Sequence, residues 1–199
     1  MGKGKKIGRV LAFVTLSVAL GIGGFVLHLA ARHNFHTILS GRVYRSAQLS
    51  GDSLATAIQE HGIKTVVNLR GENTGADWYK SEMSTVERMG VRHYDFDLSA
   101  SREVSDKEME TILVTLDHAP KPVLIHCKNG ADRTGLVGAL YLYGLERQSA
   151  NEAGKQLTIF CGHVPYLFWR DTVAMDRSYW RYVKNHGRKP YPDTAQVVN

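Results

Sequence analysis

The stretch PVLIHCKNGADRTG, residues 122–135, carries the signals that decide the fold of this chain. An apolar run leads into the polar loop, and a second apolar run, residues 136–141, follows it. This pattern predicts a buried strand, a tight loop and the start of a helix. In such an arrangement the backbone N–H groups of the loop point at one anion. Cys127 and Arg133 enclose five residues, and they would offer that anion a nucleophile and a bidentate cation.

The residues of this loop favour phosphate as the anion. A helix N-terminus and a nearby cation favour the thiolate form of Cys127. Arg133 can hold two phosphoryl oxygens and stabilise transition-state charge, and Thr134 can donate its hydroxyl to the thiolate. The phosphate-binding backbone would come from Lys128, Asn129, Gly130, Ala131, Asp132 and Arg133. A buried structural cysteine is the plainer alternative, and Arg133 at this spacing opposes it.

From Arg42 onward, short apolar runs alternate with helical patterns, which predicts a mainly parallel sheet covered by helices. Ser105 and Glu108 form a capping box at the start of one helix. The predicted strands cover residues 43–44, 65–69, 91–96 and 122–125. The other predicted helices cover residues 52–60, 76–89, 134–143, 151–159 and 167–183.

HCKNGADRTG resembles the H-C-x5-R-[ST] loop of cysteine-based protein-tyrosine and dual-specificity phosphatases. VYRSAQ (43–48) and VNLRGE (67–72) look like the compact bacterial and fungal members, and the similarity in element order covers about residues 42–145. The resemblance implies an α/β fold and hydrolysis of phosphomonoesters through a phosphocysteine at Cys127, without a metal or other cofactor. It also implies that His126 tunes the loop through hydrogen bonds. A satisfied buried histidine is the plainer interpretation of His126, and both can hold.

The family places an aspartate general acid about 27–34 residues before the cysteine, on a mobile loop. Asp97 and Asp95 lie at that distance, and Asp97 is the first choice. The segment after Asp97 lacks a W-P-D pattern. Asp106 fits a shorter variant, but a first-turn acid on a capped helix explains it better. Asp132 is a further alternative, because myotubularin-like lipid phosphatases carry an aspartate just before the loop arginine.

The substrate is a phosphorylated protein by family resemblance, with phosphotyrosine as the default and a phosphorylated lipid as the alternative. Lys128 stands where several phosphoinositide-directed relatives also carry lysine. Those relatives usually have a second basic residue in the loop, and this chain has Ala131 at that position, which disfavours a highly charged inositol ligand. Arg70 could reach a second anionic group or simply be solvated. A catalytically silent phosphate-binding module is the alternative from another class, and the intact Cys127, Arg133 and Thr134 oppose it.

Residues 10–31 form a 22-residue stretch without Asp, Glu, Lys or Arg. As a helix it would be about 33 Å long, enough to cross a bilayer. Four basic residues precede it, so a cytoplasmic N-terminus and an extracytoplasmic (periplasmic) catalytic domain are predicted. A cleaved signal peptide is the alternative, but its apolar core is usually shorter. The predicted organisation is a basic segment (1–9), a transmembrane signal-anchor helix (10–31), a phosphatase domain (32–185) and a flexible tail (186–199).

The formal net charge of +6 comes largely from this N-terminal segment. Without its four basic residues, 21 Lys and Arg face 19 Asp and Glu. No basic stripe interleaved with aromatic residues is present, so nucleic acid is not an expected partner. Cys127 and Cys161 are the only cysteines, which does not support a disulfide framework.

Overall fold

Five short strands form one central sheet, in the order β1-β2-β5-β3-β4. The computed structural model describes residues 3–165 and 170–187. The strands are β1 (His36–Leu39), β2 (Val43–Ser46), β3 (Thr65–Asn68), β4 (Arg92–Asp95) and β5 (Val123–His126). β1 is antiparallel to β2, and all other neighbours are parallel. The predicted mainly parallel sheet is confirmed, while β1 was not predicted.

The described residues contain seven α-helices. They are α1 (Lys3–Ala31), α2 (Gly51–His61), α3 (Asp77–Met89), α4 (Asp106–His118), α5 (Asp132–Leu140), α6 (Ala150–Gly154) and α7 (Val173–His186). A π-helical turn (Tyr141–Leu145) follows α5, and 3-10 turns cover Ile159–Cys161 and Arg170–Thr172. The predicted capping box is present: the Ser105 hydroxyl accepts from the Glu108 N–H, and the Glu108 side chain accepts from the Ser105 N–H.

Two predicted helices differ from the structure. The predicted helix 151–159 is only the five-residue α6, because the Gln156 carbonyl and side chain both turn to accept hydrogen bonds from Arg45. The predicted helix 167–183 begins at Val173 as α7, and residues 166–169 lie outside the described residues. Most of the predicted tail, from residue 188, lies outside them as well.

Strand side chains alternate between two apolar cores, as the period of two along a strand requires. Val67, Val123 and Ile125 belong to the larger core, which also contains residues of α4, α5 and α7. Val66 and Leu124 point to the smaller core, which contains residues of α2 and α3. The sheet is therefore covered on both faces, as parallel sheets require.

The four parallel strands end at the same level. Ser46, His126, Asn68 and Asp95, the last residues of these strands, are register partners across the sheet. The segments that follow them therefore meet at one edge, where open α/β sheets bind ligands. Because β5 lies at the centre, the loop that begins at Cys127 is flanked on both sides.

Residues 1–32 form a compact unit of their own, and residues 33–199 form a second one. Within the first, Ile7–Ala31 is a 25-residue apolar helix with a mean hydropathy of 2.4. It is long and apolar enough to cross a membrane, and so is a signal sequence at this position. The domain boundaries stay predictions.

Candidate active site

All four carbonyl groups of the loop between Cys127 and α5 are held by donors outside the loop or in the next turn. The Lys128 carbonyl accepts from the Gln48 N–H at 3.2 Å, and the Asn129 carbonyl accepts from Asn34 Nδ2 at 3.0 Å. Arg45 Nη2 donates to the Gly130 and Ala131 carbonyls at 2.7 and 3.1 Å. The Ala131 carbonyl also accepts from the N–H of Gly135.

With its carbonyls fixed on the outside, the loop turns its N–H groups to the opposite side. Across the described residues, no backbone N–H from Lys128 to Thr134 donates to a protein acceptor. Gly130 permits this turn, since its φ is +66° and an added Cβ would lie 2.5 Å from the Ala47 nitrogen. Successive N–H groups that converge in this way form a site for an anion.

Arg45 is the central support of the loop, and its role was not predicted. It is fully buried at the end of β2, and Nη1 donates to the Gln156 carbonyl and to Gln156 Oε1 at 2.9 and 2.7 Å. Burial lowers the pKa of Arg45, and the nearby charges of Cys161, Cys127 and Asp132 oppose that shift. Its guanidinium therefore lies behind the loop, within electrostatic range of both cysteines.

Arg133 is held so that one edge of its guanidinium remains available. Nη1 donates to the carbonyls of Leu69 and Leu98 at 3.1 and 3.0 Å. Nε is buried and has no hydrogen-bond partner among the described residues, which leaves the Nε and Nη2 edge for two phosphoryl oxygens. Thr134 is buried, and its hydroxyl has no partner in the described structure. The expected hydrogen bond from Thr134 to Cys127 is therefore not seen.

Cys127 and its immediate neighbours differ in exposure. Cys127 is 2 % exposed at the base of the loop. The side chains of Lys128 and Asn129 are exposed, while Gly130 and Ala131 are buried against β2. Thus the loop contributes its backbone to the anion site, and Lys128 adds a positive charge at the surface.

His126 belongs to a buried group of polar side chains that we term the Glu82 cluster: Glu82, Gln48, His93 and His126. Glu82, on α3, is 2 % exposed and accepts hydrogen bonds from His93 Nε2 at 2.9 Å and from Gln48 Nε2. Glu82 Oε2 also lies 3.2 Å from His126 Nε2, an ion-pair contact without hydrogen-bond direction. Burial opposes ionisation of Glu82, but these partners lower its pKa to about 2. His126 therefore faces the Glu82 carboxylate from the position directly before Cys127.

Gln48 connects this cluster to a surface arginine. Its side-chain oxygen accepts from Arg70 Nη1 at 2.9 Å, and the Arg70 guanidinium stacks 3.5 Å from the centre of the Trp78 ring. Burial lowers the pKa of Arg70 and the charge of Arg133 lowers it further, while Glu82 and Cys127 raise it. Arg70 is therefore a second cation near Arg133 and Cys127.

The structure distinguishes three of the four candidate acids. Asp95 accepts from Asn68 Nδ2 and from the Tyr79 hydroxyl, both at 2.7 Å. Burial raises the pKa of Asp106, but hydrogen bonds from Asn185 and Arg181 outweigh it and lower that pKa. The Asp97 carboxylate is exposed and has no hydrogen-bond or ion-pair partner among the described residues.

Asp97 is also well placed in the chain. It directly precedes Leu98, whose carbonyl binds Arg133, and its backbone forms a bridge with Arg70. It lines a cavity of about 180 Å³ together with Phe96, Leu98 and residues of α4. The residue after Asp97 therefore contacts the arginine that would hold the phosphoryl group.

The fourth candidate, Asp132, belongs to what we term the His163 cluster: His163, Asp132 and Asp176. Asp132 Oδ1 lies 2.7 Å from His163 Nδ1, and Asp176 Oδ2 lies 2.9 Å from His163 Nε2. Burial lowers the pKa of His163, but the two aspartates outweigh it and raise the pKa to about 9. Asp132 is thus already engaged by the side chain of His163.

Sequence comparison finds relatives of this chain. A model of the tyrosine phosphatase family matches residues 22–150. The dual specificity protein phosphatase TpbA of Pseudomonas aeruginosa is 34 % identical over 119 residues, which cover 57 % of this chain and 50 % of that protein. Inositol diphosphatase DSP1 of Oryza sativa subsp. japonica is 43 % identical over 53 residues, 24 % of each chain. The chain thus aligns with at most about half the length of these two relatives.

Solved structures share the fold. A crystal structure of P. aeruginosa TpbA covers 77 % of this chain and 92 % of its own, with a TM-score of 0.57 and 25 % identity. The catalytic core of the PP-IP phosphatase Siw14 from S. cerevisiae covers 79 % and 94 %, with a TM-score of 0.57 and 19 % identity. The family model extends over well over half of the sequence and includes the whole loop. The chain therefore belongs to the tyrosine phosphatase family.

Proposed function

We propose that this chain is a cysteine-dependent phosphatase of the protein-tyrosine and dual-specificity type, anchored in a membrane by α1. The observation that carries the proposal is the loop after β5: its carbonyls are held by donors outside it, and among the described residues its N–H groups have no protein acceptor. The guanidinium edge of Arg133 completes a site for a tetrahedral dianion.

In the first step, the Cys127 thiolate attacks phosphorus in line with the ester oxygen. A sulfur–phosphorus bond forms and the phosphorus–oxygen bond breaks, while Asp97 gives its proton to the leaving oxygen. The loop N–H groups and Arg133 hold the three remaining oxygens. We assign His126, which precedes Cys127 and faces Glu82, to holding the start of the loop.

In the second step, water attacks the phosphocysteine. Asp97, now a carboxylate, accepts a proton from the water, the sulfur–phosphorus bond breaks, and inorganic phosphate leaves. Thr134 is the hydroxyl nearest in sequence to Arg133, and we assign it to stabilising the departing thiolate. Because Asp95, Asp106 and Asp132 are already engaged by other side chains, Asp97 is the acid that we propose.

Phosphotyrosine is the proposed substrate group. A P. aeruginosa TpbA structure in complex with pTyr shares this fold, and a relative aligned over 119 residues is named a dual specificity phosphatase. The relatives named inositol diphosphatases suggest a more highly charged ligand. Ala131 and Asp132 give the second half of the loop no basic side chain to neutralise such a ligand.

The experiment compares wild type, Cys127→Ser and Asp97→Asn on p-nitrophenyl phosphate and phenyl phosphate. Cys127→Ser should abolish turnover of both. Asp97→Asn should lower kcat by about 10²- to 10³-fold on phenyl phosphate and much less on p-nitrophenyl phosphate, whose leaving group needs no proton. Asp95→Asn is the matched control and should not discriminate between the two esters. Equal turnover by wild type and Cys127→Ser would overturn the proposal.

Two further measurements address substrate and location. Phosphotyrosine peptides should be hydrolysed in preference to a phosphorylated lipid in mixed micelles, and the reverse order would assign the lipid. The anchor is tested by carbonate extraction of membranes, which should leave the chain in the pellet. A periplasmic reporter fused after Asn199 should be active, since the basic residues before α1 favour a cytoplasmic N-terminus.

A further inference from the structure

His163 lies between two carboxylates and is almost completely shielded from solvent. Its side chain is 1 % exposed, and both ring nitrogens lie within 3 Å of carboxylate oxygens. A neutral imidazole carries only one N–H, so it can donate to only one of two carboxylates. Both short contacts are satisfied together only by the imidazolium, in agreement with the pKa of about 9. His163 is therefore a buried cation at neutral pH.

One of the two carboxylates is part of the phosphate loop. Asp132 is the first residue of α5 and directly precedes Arg133. The first turn of α5 has no side-chain cap, so its start is not fixed by the usual means. The ion pair with His163 fixes it instead, and with it the direction of the Arg133 and Thr134 N–H groups.

The other carboxylate belongs to the C-terminal helix. Asp176 lies in the first turn of α7, and its side chain is 25 % exposed. Asp132 and Asp176 are the charged groups that face His163, from α5 and α7 respectively. Both His163 and Asp176 lie beyond the residues that the family model matches.

The loop up to Ala131 and its second half, from Asp132 onward, are thus held by different parts of the chain. Asn34, Arg45 and Gln48 hold its carbonyls from β2 and the segments around it. We propose that His163 is a positioning residue that holds the second half of the loop, so that α7 supports oxyanion binding at Cys127. This inference rests on the proposed function, because it assigns His163 to the same anion site.

The experiment uses two alkylating reagents on the full-length chain in detergent. Iodoacetate and iodoacetamide both form a sulfur–carbon bond at the Cys127 thiolate and release iodide, but only iodoacetate carries an anion that the loop can bind. The ratio of their rates therefore reports the anion site, and the ionisation of Cys127 cancels. Mass spectrometry of the Cys127 peptide separates this reaction from alkylation of Cys161.

Wild type should prefer iodoacetate, and His163→Gln should lose about tenfold of that preference together with about tenfold in kcat/KM on p-nitrophenyl phosphate. His186→Gln is the matched control. His186 lies on α7 and also contacts a carboxylate, that of Glu110 on α4, away from the loop. It should keep the ratio within twofold. The wild-type ratio should fall as the pH rises from 8 to 9.5, and the His163→Gln ratio should stay constant over that range.

A His163→Gln ratio within twofold of wild type, with an unchanged pH dependence, would overturn the proposal. If His163→Gln does not fold, Asp176→Asn gives the same test, because its carboxylate is partly exposed. Asp176→Asn should lose two- to fivefold of the iodoacetate preference, and an unchanged ratio would overturn the proposal equally. A chain that prefers iodoacetate but hydrolyses no phosphomonoester would contradict the proposed function alone.

Discussion

The two sides of the phosphate loop are supported by clusters of opposite composition. In the Glu82 cluster one carboxylate serves two histidines and an amide. In the His163 cluster one histidine serves two carboxylates. Each central group is almost fully buried, so each is costly to leave without its partners.

The difference between the Glu82 and His163 clusters shows how charged groups are distributed around the loop. Before Cys127, the buried Glu82 carboxylate faces His126. After Ala131, His163 instead binds the Asp132 carboxylate and neutralises a negative charge close to Arg133. Each arrangement therefore gives a carboxylate next to one end of the loop a fixed set of partners.

The largest expected effect comes from the loop between the two clusters. Gly130→Ala should lower kcat/KM at least 100-fold, because displacements of about 1 Å in an active site can cost that much. It should also lower the free energy of unfolding by about 2 to 5 kcal/mol, from left-handed strain and from the clash with Ala47. Urea unfolding and steady-state kinetics measure the two effects.

Gly62→Ala is the control for that substitution. Gly62 has a φ of +62°, close to that of Gly130, but an added Cβ meets nothing within 4 Å. It should lose only the strain, about 1 to 2 kcal/mol, and keep its activity. Equal losses in the two variants would show that the close approach to β2 is not what shapes the loop.

The next effect separates the Glu82 cluster from an ordinary surface carboxylate. Glu82→Gln should lower the free energy of unfolding at pH 7 by about 3 kcal/mol, because it leaves two buried histidines without their anion. It should also lower kcat/KM about tenfold through His126. Glu87→Gln, on the exposed face of the same helix, should change neither by a measurable amount. Equal changes in unfolding free energy and in kcat/KM for the two variants would show that Glu82 does not support the site.

The Glu82 cluster should lose its contribution to the free energy of unfolding in acid. The pKa of Glu82 is lowered from 4.5 to about 2, so its contribution is complete above about pH 4.5 and is lost as the pH falls through about 2. The loss is on the order of 3 kcal/mol. Denaturant unfolding between pH 5 and 2.5 should therefore show a smaller decline for Glu82→Gln than for wild type, and parallel curves would contradict this.

The His163 cluster should lose its contribution to stability in base, so its pH dependence has the opposite sign to that of the Glu82 cluster. The pKa of His163 is raised from 6.5 to about 9, so its contribution is complete below about pH 6.5 and is lost as the pH rises through about 9. With allowance for solvent screening, the loss is about 1 to 2 kcal/mol. Unfolding curves from pH 6 to 10 should decline less for His163→Gln than for wild type. An identical decline in unfolding free energy for the two proteins would show that a group other than His163 causes the alkaline loss of stability.

The sequence predicted the loop and the sheet because their signals are local. The spacing of Cys127 and Arg133, and the apolar runs on either side, lie within about twenty residues. The capping box at Ser105 and Glu108 is equally local, and the structure contains it. Site residues whose role depends on neighbours in the chain were therefore accessible.

The supports of the loop were missed because they depend on long-range contacts. Arg45 binds the Gly130 carbonyl across 85 residues, and Asp132 meets His163 across 31. Glu82 lies on an amphipathic helix, where a glutamate is usually solvated, and only the fold places it under His126. One available signal was the segment VYRSAQ, which marked the Arg45 region by family resemblance without assigning it a role.

The smallest expected effect is the coupling between the two clusters. Within the described residues, the Glu82 and His163 clusters share no hydrogen bond, and they contact opposite ends of the loop. Distant sites without shared partners are additive within about 0.5 kcal/mol. The losses in unfolding free energy of Glu82→Gln and His163→Gln should therefore sum in the double variant, measured in urea at pH 7. A coupling above about 1 kcal/mol would show that the loop transmits strain from one side to the other, and that the two clusters act as a single support.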